Sequence, residues 1–194
     1  MTEPTHQPTP AALVEFPDVT SRMQKALDQL ELLQQGGPAA SDIIGSGENL
    51  PRLWDITTIH DPNLRRDTWN WLEGFVIWFN AQQTWFSYEQ IPACWTHHPH
   101  LIREIGTLAD QRRLAGDATT SRPLDEWHQY SAPAFLERTR AARSSCEDKH
   151  TPWPGRPAHK RHVGPELSQV RRDRIEADVA GFRRERSPHL GSSV

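Results

Sequence analysis

Apolar residues recur at three- and four-residue steps near the front of the chain, and this spacing predicts a helix. The positions with this spacing between 19 and 35 are Val19, Met23, Ala26, Leu27, Leu30 and Leu33. Asp18 or Thr20 is a suitable N-cap, and Gly36 with Gly37 is a suitable end. The sequence therefore predicts a separate amphipathic helix over 19–35, a disordered arm over 1–18 and a linker over 36–52.

Most of the apolar material lies between residues 53 and 150. We expect one helix from Asp67 or Thr68 to about Trp85, with an apolar face that includes the following residues: Trp69, Leu72, Phe75, Val76, Phe79 and Phe86. Trp71, Trp78 and Trp85 recur at seven-residue steps and widen this face.

A second helix is expected to begin at Pro99, whose missing N–H suits a first turn, and to end at Gly116. Shorter helices are expected over Asp125–Tyr130 and from Pro133. No stretch alternates as a strand does, so we predict an all-α core domain of three or four helices over 53–150.

The rear of the chain divides into two parts. Residues 151–165 contain four prolines without periodicity, and we predict an extended linker over 151–164. Residues 165–194 are expected to hold a basic helix starting at Pro165, followed by a disordered end.

The charge is distributed unevenly along the chain. The 194 residues carry a net charge of −3, which excludes a uniformly basic, histone-like protein. Residues 1–64 carry −6, residues 65–150 carry −1, and residues 151–194 carry +4. No secretory signal and no bilayer-spanning stretch of about 20 apolar residues is visible, so we expect a cytoplasmic protein without a membrane partner.

The two cysteines are each followed closely by a histidine. Cys94 and His97 form one pair, and Cys146 and His150 form the other. Thiolates and imidazoles suit tetrahedral zinc, so the four residues predict a structural zinc ion that staples the core. His98 is an alternative to His97, and His100 is a weaker one. The alternative without metal is that the cysteines are small buried residues and the histidines cap a helix or face solvent.

The sequence favours a non-enzymatic protein. It contains none of the common phosphate-binding, dinucleotide-binding, zinc-protease or nucleophile-elbow motifs. Asp125 and Glu126 stand close to His128, but neighbouring residues on a helix point in different directions. A metal-dependent hydrolase using His97, His98 and His100 remains an alternative function.

Two kinds of partner follow from the pattern. Trp54 or Trp153, outside the expected helices, is a candidate anchor for a protein partner. Nucleic acid is the alternative, bound by phosphate contacts from the basic rear residues. These are Lys160, Arg161, Arg171, Arg172, Arg174, Arg183 and Arg184.

Several short runs resemble a family of unassigned activity from high-GC Gram-positive bacteria, their plasmids and their phages. The runs are Trp71 to Trp78, Ile91 to Pro99 with Cys94 and His97-His98-Pro99, Leu101 to Leu108, Glu126 to His128, and Cys146 to His150. The chain departs from the family in having only Trp95 after Cys94, and in having Arg143, Ser144 and Ser145 before the last cysteine. The resemblance implies a small cytoplasmic accessory protein, often of mobile elements, and it assigns no catalytic role. We therefore expect a binding or scaffold protein.

Overall fold

The computed structural model describes residues 13–45, 49–144 and 165–185, and these residues form an all-α protein. The chain divides into two units, Met1–His150 and Thr151–Val194. No helix among the described residues is both long enough and apolar enough to cross a bilayer. The predicted fold class is confirmed, and several of the expected boundaries are wrong.

Helix α1 spans Ser21–Gln35. Its N-cap is Thr20, whose side-chain oxygen accepts a hydrogen bond from the Met23 amide. The expectation that this helix is separate from the core is wrong. Its inner face, formed by Met23, Ala26 and Leu27, lies in the same apolar cluster as the central helices. Burial of this face is what holds so short a helix together.

Part of the expected N-terminal arm also packs on the core. The ring of Phe16 meets Trp71, Phe75 and Trp78 edge-on, with ring centroids 5.1 to 6.4 Å away. The indole N–H of Trp71 donates to the carbonyl of Pro17 at 3.0 Å. Residues 1–12 lie outside the described part, so the prediction of disorder applies to them untested.

The expected linker over 36–52 contains a short helix, α2, at Pro38–Gly45. Gly36 and Gly37 both have positive φ, at 75° and 87°, which residues with a side chain rarely adopt. The two glycines reverse the chain, so α2 packs against α1. The sequence predicted a linker here because glycine, serine and proline interrupt the alanine and isoleucine residues that form this helix.

Helix α3 spans Pro62–Gln82 and starts five residues before the predicted cap. Asp61 is the cap, accepting from the amides of Asn63 and Leu64, and Pro62 occupies the first helical position. The helix ends at Gln82, three residues before Trp85. Trp85 and Phe86 therefore lie beyond the helix, and the prediction that they extend its inner face is wrong.

Helix α4 spans Pro99–Gly116, the bounds that the sequence predicts. Leu101, Ile105, Leu108 and Ala109 are buried. Gly106 is buried as well, and a Cβ atom there would lie 2.6 Å from the carbonyl oxygen of Trp54. The absence of a side chain at position 106 lets the segment before α3 lie directly on α4.

The last part of the core is one continuous helical run with an irregular centre. Helix α5 spans Arg122–Glu126, a π-helical turn spans Trp127–Ser131, and helix α6 spans Ala132–Ser144. Trp127, at the start of the π-helical turn, is buried and donates from its indole N–H to the carbonyl of Leu108 on α4 at 3.2 Å. The wide turn thereby places this indole in the core.

A second described unit contains helix α7, at Pro165–Glu185. Val170, Ile175 and Val179 are exposed along it.

Candidate functional site: an exposed aromatic turn

Three aromatic side chains project into solvent just after α3. Trp85 is 88% exposed, Phe86 is 50% exposed and Tyr88 is 45% exposed. The rings of Phe86 and Tyr88 stack nearly parallel, with centroids 5.1 Å apart and an angle of 8° between planes. We call residues 85–88 the aromatic turn. Large aromatic groups are normally buried, so three of them together outside the core form an unusual surface.

Glu89 fixes the start of the aromatic turn. One oxygen of its carboxylate accepts hydrogen bonds from the backbone amides of Trp85 at 2.8 Å and Phe86 at 3.0 Å. A carboxylate bound by two amides orders a chain segment more strongly than neutral acceptors do. The exposed side chains therefore stand on a backbone that is held in place.

Arg143 fixes the other end of the aromatic turn from the last helical turn of α6. This residue is only 3% exposed, and its guanidinium donates to the carbonyl of Tyr88 at 2.6 Å. The same group donates to the Leu136 carbonyl at 2.7 Å and to the Thr139 hydroxyl at 2.9 Å. Burial lowers the pKa of Arg143, and the nearby charge of Glu89 opposes that shift.

Asn80 ties the base of the aromatic turn to the chain that follows it. Its side-chain amide donates to the Ile91 carbonyl at 2.9 Å and accepts from the Ile91 amide at 2.8 Å. The Thr84 hydroxyl donates to the Asn80 carbonyl at 2.8 Å. Polar groups on two helices thus brace the loop between residues 83 and 91.

A cavity of about 250 Å³ opens beside the stacked rings. Its lining combines two carboxylates and two guanidinium groups with a tyrosine, a proline and a leucine: Tyr88, Glu89, Pro133, Leu136, Glu137, Arg140 and Arg143. The Arg140 guanidinium lies over the Tyr88 ring, 5.9 Å from its centroid. The balanced charges give this recess no strong preference for an anion or a cation.

The structure brings Cys94, one of the predicted zinc ligands, together with His98, the alternative to His97. The sulfur of Cys94 lies 3.4 Å from Nε2 of His98, and His98 is 2% exposed. His97 is exposed at the end of a short 3-10 turn, Trp95–His97. Cys146 and His150 lie outside the described residues, so the four-residue site stays a prediction.

The hydrolase alternative has no assembled centre in the described part of the chain, where no three histidine, cysteine or acidic side chains converge as a metal site would require. The ring of His98 contacts that of His100 at 5.7 Å. Burial lowers the pKa of His100, and Glu104 opposes the shift. Burial lowers the pKa of His128 too, and the charge of Arg112 adds to this.

The basic residues predicted to meet nucleic acid fall into two groups. Arg171, Arg172, Arg174, Arg183 and Arg184 belong to α7, where five acidic residues balance these five arginines along the helix. Lys160 and Arg161 lie outside the described residues. Nucleic-acid binding stays a prediction, and the described helix contributes no net charge to it.

Of the two tryptophans predicted to anchor a protein partner, one lies among the described residues. Trp54 is partly buried, with its backbone against Gly106, and Trp153 lies outside the described residues. The seven-residue spacing predicted Trp85 on the apolar face of the helix, and the aromatic turn was therefore not predicted. One local signal was present, because Glu89 follows Phe86 by three residues and can return a carboxylate to the amides of a turn.

Comparison of the chain with family models, with curated proteins and with solved structures finds no match. The family resemblance stated above remains a prediction for this reason.

Proposed function

We propose that this protein is a non-enzymatic binding module that acts in the cytoplasm and binds a protein partner through the aromatic turn. The observation that carries the proposal is the 88% exposure of Trp85, on a backbone that the core holds in place. Tryptophan and tyrosine are the side chains that most often dominate the energy of protein interfaces.

The polar anchors of the turn order its aromatic side chains before any partner is bound. Glu89, Arg143 and Asn80 order a segment whose large side chains gain little from burial in the free protein. Prior ordering removes part of the entropy that a flexible loop loses when it meets a partner. A folded protein that keeps its turn rigid and its rings exposed has a surface prepared for contact.

The adjoining cavity fits the same role. A recess of about 250 Å³, lined by Tyr88, Pro133 and Leu136 together with charged groups, has room for one side chain of a partner. The arrangement resembles the centre of an interface, with aromatic groups in the middle and polar groups around them. Its neutral balance favours a protein partner over nucleic acid, whose phosphates need a net positive surface.

Replacing Trp85 with alanine is expected to weaken partner binding at least about 30-fold, since truncating a dominant interface residue costs about 2 kcal/mol or more. The stability of the free protein should change by less than about 0.5 kcal/mol because the side chain is exposed. Lysate of the cells that produce this protein is passed over the immobilised 194-residue chain, and the retained proteins are identified. Titration then measures the affinity of each retained protein for the wild type and for the variant.

Tyr130→Ala is the matched control, since Tyr130 is an aromatic residue 67% exposed on the π-helical turn. A partner that Trp85→Ala loses and Tyr130→Ala keeps supports the proposal. A partner bound equally by all three proteins contradicts it, as does failure of the wild type to retain any partner. Dimerisation of the wild type that Trp85→Ala abolishes, seen by light scattering, would make the turn a self-association surface and would also contradict it.

A further inference from the structure

The chain before α1 lies extended against α3 and α4, and one aromatic ring attaches it there. Phe16 contacts Trp71, Phe75 and Trp78 of α3, with ring centroids 5.1 to 6.4 Å away. The guanidinium of Arg112, on α4, lies over the same ring at 5.0 Å from its centroid. Three aromatic rings and one cation thus surround a single phenyl group.

Pro17, the next residue, adds two contacts with α3. Its carbonyl accepts the indole N–H of Trp71 at 3.0 Å. Its side chain lies against Gly74, where a Cβ atom would come within 3.1 Å of the Pro17 Cβ atom. Glycine inside a helix is normally unfavourable, and here it leaves room for the proline ring. The groove on α3 and α4 therefore fits a phenylalanine followed by a proline in an extended chain.

The rest of this segment buries little surface. We call residues 13–19 the strap. Four of its side chains are exposed to solvent: Leu13, Val14, Glu15 and Asp18. Leu13 is 90% exposed, and Val19 is only partly buried against the core. A segment with so few buried contacts opens at a lower free energy than the helices on which it lies.

The helix that follows the strap has its own contacts with the core. The hydroxyl of Thr20, the N-cap of α1, donates to Asp67 of α3 at 3.0 Å. Met23, Ala26 and Leu27 of α1 lie in the core cluster. Helix α1 therefore stays in place when the strap leaves its groove.

We propose that the groove is a binding site for an extended Phe-Pro dipeptide, which the strap fills in the free chain and a partner segment fills when the strap leaves. An aliphatic side chain in place of the phenyl ring would lose the interaction with the Arg112 guanidinium. The Trp71 indole N–H selects a carbonyl at the position of Pro17. Because the strap is tethered beside the groove, its effective concentration is high and it competes with the partner segment.

Exchange of indole protons, followed by NMR on the 194-residue chain, tests whether the strap opens independently. Trp71 donates its indole N–H to the strap, and Trp127 donates the same group to Leu108 in the core. The two indoles are similarly buried, at 3% and 2% exposed, so Trp127 is the matched control in the same molecule. We expect the Trp71 proton to exchange at least about 10-fold faster than the Trp127 proton. Equal exchange of the two protons in the wild type would overturn the proposal.

A synthetic peptide that copies residues 13–20 tests the binding site itself. We expect it to bind the Phe16→Ala protein at least about 10-fold more tightly than the wild type, because the weakened strap leaves the groove open in more molecules. Binding should shift the NMR resonance of the Trp71 indole N–H. The control is the same peptide carrying Phe16→Ala, which should bind neither protein.

Two results of the titration would contradict the proposal. One is equal affinity of the two peptides for the Phe16→Ala protein, and the other is the absence of any binding. The exchange measurement needs no variant, so it decides the matter if Phe16→Ala folds poorly. Neither experiment involves Trp85 or the partner of the aromatic turn, so failure of this proposal is distinguishable from failure of the proposed function.

Discussion

Replacing Arg143 with methionine is expected to lower the free energy of unfolding by about 2–4 kcal/mol. The buried guanidinium satisfies the carbonyls of Tyr88 and Leu136 and the hydroxyl of Thr139, with donor–acceptor distances of 2.6 to 2.9 Å. Methionine fills much of the same volume but donates to none of them, and each unsatisfied buried acceptor costs about 1–3 kcal/mol. Urea denaturation followed by circular dichroism measures the difference.

The same substitution should weaken partner binding although Arg143 is too buried to be a major contact. Loss of its bond to the Tyr88 carbonyl releases one end of the aromatic turn. Arg140→Met is the control, because Arg140 also approaches Tyr88 but from an exposed position, with its guanidinium 5.9 Å from the centroid of the Tyr88 ring. We expect that variant to stay within about 0.5 kcal/mol of wild type. Equal stability of the Arg143 variant and wild type would show that the guanidinium does not hold the turn.

Replacing Gly106 with alanine is expected to lower the free energy of unfolding by about 1–3 kcal/mol, the usual range for overpacking a closely fitted core. In an open helix the same change stabilises by about 1 kcal/mol, so the sign itself is informative. A Cβ atom at this position would lie 2.6 Å from the Trp54 carbonyl oxygen, and backbone atoms cannot move aside as a flexible side chain does. Thermal and urea unfolding give the measurement.

Gly45→Ala provides the comparison for this prediction. A Cβ atom at Gly45, the last residue of α2, meets nothing within 4 Å. That variant should be as stable as wild type or slightly more stable. If Gly106→Ala is also neutral or stabilising, the segment containing Trp54 does not lie on α4 as described.

The bounds of α4 were predictable because local chemistry sets them. Proline at position 99 suits a first helical turn, and glycine at 116 suits the last, whatever lies around the helix. The start of α3 is set just as locally, by Asp61 and Pro62. The apolar period begins later, however, and it led to a predicted cap at 67 or 68. Asp67 instead pairs with Arg22 of α1.

The end of α3 depends on contacts between distant residues, and the sequence period could not predict it. Trp71, Trp78 and Trp85 share a seven-residue spacing, yet the first two are buried and the third is exposed. The helix stops at Gln82, where Asn80 binds Ile91, eleven residues further along the chain. The spacing of apolar side chains does not indicate such a hydrogen bond.

The metal prediction shows a similar division. The types of residue near 94 were sufficient to suggest zinc, but spacing alone did not distinguish His97 from His98. The 3-10 turn at Trp95–His97 exposes the first ring and buries the second, and zinc binding by either residue stays a prediction. The separate status of α1 was also wrong. Met23, Ala26 and Leu27 of its apolar face lie in the core cluster, and Phe16 packs against the same cluster. The helical period identifies such a face but not the element that covers it.

Amide hydrogen exchange at Trp85 and Phe86 tests the central claim most directly, namely that the core holds the exposed aromatic turn in a fixed conformation. Both amides donate to the Glu89 carboxylate, so they should exchange at least about 100-fold more slowly than in an unstructured chain. In Glu89→Ala that protection should disappear while the core amides of α3 and α4 keep theirs. Exchange of the wild-type amides at the unstructured rate would contradict the account.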